Sequence, residues 1–136
     1  MKTYIGTKTI KAKPTTKKEY CDYRGWKVPE GEDPDEEIYL VEYEADPDSK
    51  PNHPDHEGYI TMSPKHVFEK AYRQANTYLD RVTIERDDLA DKLVKLKTAL
   101  KIGAVPPSAV PTLELQASVM AKYLHVLNTR LPKTQD

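Results

Sequence analysis

Hydrophobic residues in the second half of the chain recur at alternating intervals of three and four. One series runs from 72 to 100 and a second from 113 to 131, separated by a break that contains Gly103 and three prolines. The positions are Tyr72, Ala75, Leu79, Val82, Arg86, Leu89, Leu93, Leu96 and Leu100, then Leu113, Ala117, Met120, Leu124, Leu127 and Leu131. This spacing is typical of helices with one apolar seam. It predicts an antiparallel helical hairpin whose seams pack against each other or against another copy.

The pattern of the first half is shorter and alternates. It predicts strands at 7–13, 38–43 and 59–62, with a helical turn at 15–20 capped by a threonine. In the second of these strands Ile38, Leu40 and Glu42 fall on one face. Pro14 is expected to end the first strand, because proline lacks a backbone N–H.

A helix is expected to start at Ser63-Pro64, where serine can cap the free amides and proline fits the first helical position. That helix either runs unbroken to Leu100 or restarts near Asn76-Thr77. Thr112 is the expected cap of the second long helix.

These patterns together predict an α+β fold. Residues 1–74 are expected to form a small antiparallel β-sheet module with a tyrosine- and lysine-rich face. Residues 75–136 are expected to form a long, coiled-coil-like helical hairpin, with a homo-oligomer assembled through 75–131. A chain of this length buries a small core and often gains stability by association.

Charge is distributed unevenly along the 136 residues, although the net charge is only −1. Residues 1–18 carry six lysines and no acid, whereas residues 30–57 carry twelve acids and one lysine. The two blocks are either solvated surfaces that attract one another, or the basic segment helps to bind an anion. One short basic segment beside an acidic one is a poor track for nucleic acid, so nucleic-acid binding is not expected.

Cys21 is the only cysteine, which excludes an internal disulfide. No apolar run reaches the ~20 residues that a membrane-spanning helix needs. We therefore expect a cytoplasmic protein without a membrane segment.

Catalytic signatures are missing from the sequence. It contains no glycine-rich phosphate loop, hydrolase elbow or metalloprotease motif. His53 and His56 are spaced so that they could share a metal, but no cysteine or further histidine pair completes a ligand set. We expect no catalytic residue, metal or cofactor.

The candidate ligand-binding residues combine flat aromatic rings with cations. Nine tyrosines stand against one phenylalanine, and tyrosine suits surfaces that bind something. Aromatic faces stack on nucleobases, and guanidinium or ammonium groups pair with phosphates. The candidates are Tyr4, Lys8, Lys11, Tyr23, Arg24, Trp26, Lys27 and Arg86. The alternative is that these aromatic side chains form a small core with their hydroxyls reaching solvent.

Arg86 occupies a seam position where leucine is expected. An unpaired arginine there costs stability, but it can set the register or contact a bound phosphate. Four positions of the second helix could also border a pocket or form its rim: Tyr123, His125, Asn128 and Arg130.

Five stretches stand in order in the first half: Tyr4 to Lys8, Tyr23 to Trp26, Tyr39 to Tyr43, Gly58 to Ile60, and Ser63 to Lys65. In these stretches the chain resembles an accessory module that occurs in proteins of tailed bacteriophages. That module has a tryptophan before the serine–proline pair, where this chain has Met62. If that ring contacts a ligand, the resemblance implies a different ligand here.

The segments Arg86–Leu93 and Leu115–Leu131 resemble a helical hairpin family of crAss-like phages. They are more distantly similar to the hairpin of phage sponge proteins. Those oligomerise and sequester cyclic nucleotide signals made by bacterial Thoeris and CBASS immunity. The resemblance implies a phage counter-defence protein acting in the infected host.

Three functions remain open. The first is capture, without cleavage, of a cyclic ADP-ribose isomer or cyclic oligonucleotide. The second is a protein–protein adaptor or inhibitor that docks a host protein through the hairpin. The third is an enzyme that degrades such a signal with the help of the His53/His56 loop.

Overall fold

The computed structural model describes residues 1–133, which form two compact units, one spanning Met1–Tyr72 and one that begins at Arg73. The fold is α+β, as the pattern predicts. The first unit contains β1 (Ile10–Thr16), α1 (Lys17–Arg24), β2 (Glu37–Tyr43), β3 (Ile60–Pro64) and α2 (Lys65–Ala71). The second contains α3 (Tyr78–Lys101), a short 3₁₀ turn (Pro107–Ala109) and α4 (Val110–Arg130).

The sheet is antiparallel with strand order β1-β2-β3, and Lys13, Leu40 and Met62 stand side by side across it. The prediction that Pro14 ends the first strand is wrong, since Pro14 lies inside β1. An edge strand tolerates proline, because every second N–H points away from the sheet and needs no partner within it.

One face of the sheet carries the core of the first unit. Ile38, Leu40 and Ile60 are buried there with Tyr20 of α1, and Met62 packs against them. Thr16 caps α1, as predicted, and accepts a hydrogen bond from the Glu19 amide.

The other face of the sheet receives α2. Phe68 stacks on Tyr39 with 4.1 Å between ring centroids and on Tyr72 with 5.0 Å. The predicted serine cap of this helix is wrong. Ser63 and Pro64 belong to β3, the helix begins at Lys65, and no side chain caps it.

A buried lysine anchors the acidic loop that precedes β2. Nζ of Lys17 lies 2.7 Å from Glu32 and 2.6 Å from Glu36, and its backbone amide donates to the Glu36 carbonyl. The hydrogen bond that Lys17 donates to Glu32, followed by the one to Glu36, raises the pKa of Lys17 far above its ordinary value. The basic and acidic blocks of the sequence therefore meet at this point.

The long helix restarts rather than running through. Thr77 caps α3 in a capping box with Asp80, and each side chain accepts from the other's backbone amide. Tyr72 and Ala75 therefore precede the helix and do not belong to its seam.

Helices α3 and α4 pack against each other along the predicted seams. Val82, Leu93, Ala117 and Leu127 are buried, and most of the remaining seam residues are half-buried. Cross-helix hydrogen bonds join Tyr78 to Arg130 and Glu85 to Tyr123, so the helices are antiparallel. Since α4 begins at Val110, Thr112 lies within its first turn and is not its cap.

No helix within residues 1–133 combines the length and apolar character needed to cross a membrane.

Candidate functional site

Two predicted residues, Arg24 and Trp26, meet at the end of α1. Gly25 adopts the left-handed conformation (φ 74°) that ends the helix, and the Trp26 amide donates to the Cys21 carbonyl at 2.8 Å. This turn folds the indole back so that the Arg24 guanidinium lies 4.3 Å from its ring centroid. Arg24 also donates to the Tyr20 hydroxyl at 3.0 Å. The guanidinium thus covers one face of the half-exposed indole in a cation–π contact, and we call this pair the Arg24–Trp26 surface.

Tyr23, a third predicted residue, points toward the loop between β2 and β3. Its hydroxyl lies 2.7 Å from Nε2 of His56, and its ring stacks on His53 with 4.3 Å between centroids. Nδ1 of His56 is in turn hydrogen-bonded to Glu42 on the core face of β2. We call the chain of Glu42, His56 and Tyr23 the carboxylate–imidazole–phenol relay.

The electrostatics of the relay favour a protonated phenol and an ionised carboxylate. Burial, together with the negative charges of Asp55 and Glu42, raises the pKa of Tyr23. The hydrogen bond from His56, aided by the Gly58 amide and opposed by burial, lowers the pKa of Glu42. Tyr23 therefore stays uncharged near neutral pH, and an uncharged phenol is a weak nucleophile.

Gly58 permits the close approach of this loop to β2. A Cβ at this position would overlap the carbonyl oxygen of Tyr43, and the Gly58 amide points at Glu42. The Asn52 side chain, from the same loop, donates to and accepts from the backbone of Ile60, each at 2.8 Å. The loop is thus fixed to the sheet at several points.

Two cavities of the first unit do not suit a nucleotide. One, of about 160 Å³, is bounded by Lys13, Thr15, Glu19, Tyr20, Tyr23 and Leu40. It is smaller than the roughly 300–1,000 Å³ of typical ligand pockets. Another, of about 360 Å³, is lined by three carboxylates, a lysine and His66, and those carboxylates oppose an anion. Neither of these two cavities is therefore a candidate nucleotide pocket.

The other predicted residues of the first unit lie elsewhere on it. Tyr4 is exposed in the segment before β1, and Lys27 is exposed after α1. Lys8 lies 4.6 Å above the Tyr43 ring, and Lys11 faces Glu42 across the strands. Of the contacts described above, the one between Arg24 and Trp26 is the only one that joins two predicted ligand-binding residues.

Arg86, the remaining predicted residue, belongs to the second unit. Its Nε donates to Asp87 at 2.7 Å, and Nη1 reaches Asn128 of α4 at 3.4 Å. Asp87 is also held by Arg73 at 2.6 Å, and these two guanidinium groups lower its pKa. The arginine in the seam is therefore paired with its neighbour in sequence, which it shares with Arg73.

Two features of the site were not predicted from the sequence. The first is the relay, which the sequence does indicate, because a carboxylate on the core face of a central strand needs a buried partner. The second is an uncovered apolar stripe on α4: Leu115, Val119 and Val126 are 65%, 56% and 49% exposed. They lie on the face of the same helix that is turned away from the buried seam, and the longer seam was the dominant pattern in the sequence.

Within residues 1–133, no group of three or more histidine, cysteine or acidic side chains is arranged to hold a metal ion. His53 and His56 are instead engaged with Tyr23 and Glu42.

The structure is that of a small α+β protein, and polar side chains flank the buried seam of its helical hairpin. Comparison with family models matches residues 76–133 to the family described as Sequestin. The matched segment contains all of α3 and α4 and makes up less than half of the chain. Comparison with curated proteins and with solved structures gives no match. The family's name refers to sequestration, and the similarity concerns the hairpin.

Proposed function

We propose that this chain is a phage counter-defence protein that sequesters a nucleotide second messenger of bacterial immunity without cleaving it. The observation that carries the proposal is the match of the hairpin, residues 76–133, to the Sequestin family. The resemblance of the same segment to phage sponge proteins supplies the ligand class, a cyclic ADP-ribose isomer or a cyclic oligonucleotide of Thoeris or CBASS signalling.

The exposed chemistry of the chain suits such a ligand. The Arg24–Trp26 surface offers an aromatic face and a guanidinium within 4.3 Å of each other. An indole can stack on a base while the guanidinium contacts a phosphate. The predicted contacts of the first unit are Tyr4, Lys8, Lys11, Tyr23, Arg24, Trp26 and Lys27.

We propose capture rather than catalysis because the relay is poorly suited to cleavage. The raised pKa of Tyr23 disfavours the tyrosinate that an attack on phosphorus would require. Both nitrogens of His56 are occupied by Tyr23 and Glu42, which leaves no ring nitrogen for a substrate.

Assembly into a homo-oligomer is part of the proposal. The two predicted seams pack against each other within one hairpin. They are therefore not available to join two copies of the chain. The apolar stripe of α4 lies on the face turned away from this seam, and a second copy of the hairpin would cover it by helix–helix packing. Leu115, Val119 and Val126 would then be buried between copies.

A thermal-shift screen of the full chain against cyclic ADP-ribose isomers and cyclic dinucleotides tests the proposal. We expect at least one of these nucleotides to raise the melting temperature, because a ligand that binds only the folded state stabilises it. Chromatography after denaturation should then recover that nucleotide intact. Turnover that His56→Ala abolishes would instead identify an enzyme.

The uncovered stripe of α4 also fits the second candidate, an adaptor or inhibitor that docks a host protein. In that case no nucleotide would shift the melting temperature. Val119→Glu would abolish retention of a host protein in a pull-down while leaving the chain monomeric. This combination would replace capture as the function.

A further inference from the structure

Arginine is concentrated at one end of the hairpin. Four of the five arginines of the chain, Arg73, Arg81, Arg86 and Arg130, lie near the start of α3 or in the last turn of α4. Arg73 pairs with Asp87 and Asp88, and Arg86 pairs with Asp87. Within residues 1–133, Arg81 and Arg130 form no ion pair; Arg81 reaches only the Ala75 carbonyl, at 3.4 Å.

Arg130 directs a guanidinium edge at an uncharged oxygen. Its Nε and Nη2 donate to the Tyr78 hydroxyl at 3.0 and 2.7 Å. This edge has the geometry that normally meets two oxygens of a carboxylate or phosphate. A phenol holds the edge in place but does not compensate its charge. Both side chains belong to exposed residues, so an anion can reach them.

A second cross-helix pair lies two helical turns away on the same side of the hairpin. The Tyr123 hydroxyl donates to Glu85, and these residues stand seven positions from Arg130 and Tyr78 in their respective helices. Positions seven apart share a helix face. Tyr78 and Tyr123 are both exposed. This side of the hairpin therefore presents one guanidinium edge and two aromatic rings.

We propose that Tyr78 and Arg130 form a phosphate-binding site for the nucleotide, a proposal that rests on the sequestering function proposed above. Two oxygens of one phosphate replace the Tyr78 hydroxyl on the edge formed by Nε and Nη2 of Arg130. The Tyr78 ring, released from this contact, packs against the ribose or base. Arg81, one turn along α3 from Tyr78, supplies a second cation. The ligand is thus a nucleotide that carries a diphosphate or phosphodiester.

Binding of cyclic ADP-ribose, a diphosphate, and cyclic di-AMP, a phosphodiester, to the full chain is measured by titration calorimetry. Arg130→Gln is expected to weaken the binding of whichever probe the wild type takes by about tenfold or more, because a charge-assisted pair is lost. Arg130→Lys keeps the positive charge but lacks the edge formed by Nε and Nη2. It should therefore recover only part of the affinity that Arg130→Gln loses. Lys101→Gln, at the last residue of α3, is the matched control and should stay within about twofold.

Circular dichroism verifies that each variant keeps the helical content of the wild type. Unchanged affinity in Arg130→Gln, with loss in Arg24→Gln, would overturn the site on the hairpin and leave the sequestering function standing. A wild type that binds neither these probes nor other cyclic nucleotides would overturn both proposals.

Discussion

At the scale of single residues, Glu42 illustrates how one half-buried acid organises a loop. Strand alternation puts it on the core face beside Leu40, where a carboxylate needs partners. His56 and the Gly58 amide supply them, and Tyr23 holds the far side of the imidazole. The loop of residues 44–59 is thereby tied to α1 and to β2.

The folded first unit should lose stability as the pH falls through the lowered pKa of Glu42. The unfolded chain has the ordinary glutamate pKa, near 4.5, so the carboxylate stabilises the fold fully above that value and not below the folded-state pKa. Trp26 is the only tryptophan, and its fluorescence reports this unit during urea unfolding. Glu42→Gln should lower stability at pH 7 and flatten the loss of stability as the pH falls below about 4.5.

Glu57→Gln, an exposed acid in the same loop, is the control and should keep the wild-type pH dependence. A Glu42→Gln profile parallel to that of the wild type would contradict the assigned role of the relay.

At the scale of elements, the parts predicted from the sequence are those governed by periodicity. The hairpin, the three strands and the threonine cap of α1 follow from local spacing and capping chemistry. Helix starts were less predictable. Ser63 pairs with Tyr39 in the sheet instead of capping a helix, because strand pairing depends on residues far away in sequence. The side-chain pairs of the site, such as Tyr23 with His56, have the same non-local origin.

Leu127→Ala tests the packing of the hairpin. Leu127 is completely buried, so its truncation should lower the free energy of unfolding of the hairpin by about 2–5 kcal/mol. Far-UV circular dichroism at 222 nm during urea unfolding measures this loss. Val94→Ala, at an exposed position of α3, is the control and should change stability by less than about 0.5 kcal/mol. Equal effects of the two substitutions would contradict the seam.

At the scale of the whole molecule, the proposed sequestering protein is a homo-oligomer whose chains associate through the hairpin. The apolar stripe of α4 is the surface that favours assembly. A charge in its centre should therefore prevent association without disturbing the seam, which lies on another face of the helix.

Val119→Glu tests this assembly by multi-angle light scattering at micromolar concentration. The wild type should show a multiple of the 15.6 kDa chain mass and the variant a single chain mass, with unchanged helical content. Ser118→Glu, next to it on α4 and also exposed, is the control and should behave as the wild type. A monomeric wild type would contradict assembly through this stripe.

The most direct test of sequestration without cleavage is whether the bound nucleotide is released intact. The purified chain is incubated with a cyclic ADP-ribose isomer or cyclic dinucleotide that shifts its melting temperature, and the unbound pool is removed. Mass spectrometry then reads the small molecule freed by heat denaturation. The account predicts a fixed ratio of nucleotide to chain and an unchanged nucleotide mass. A hydrolysed product, or no nucleotide retained from any of these classes, would contradict it.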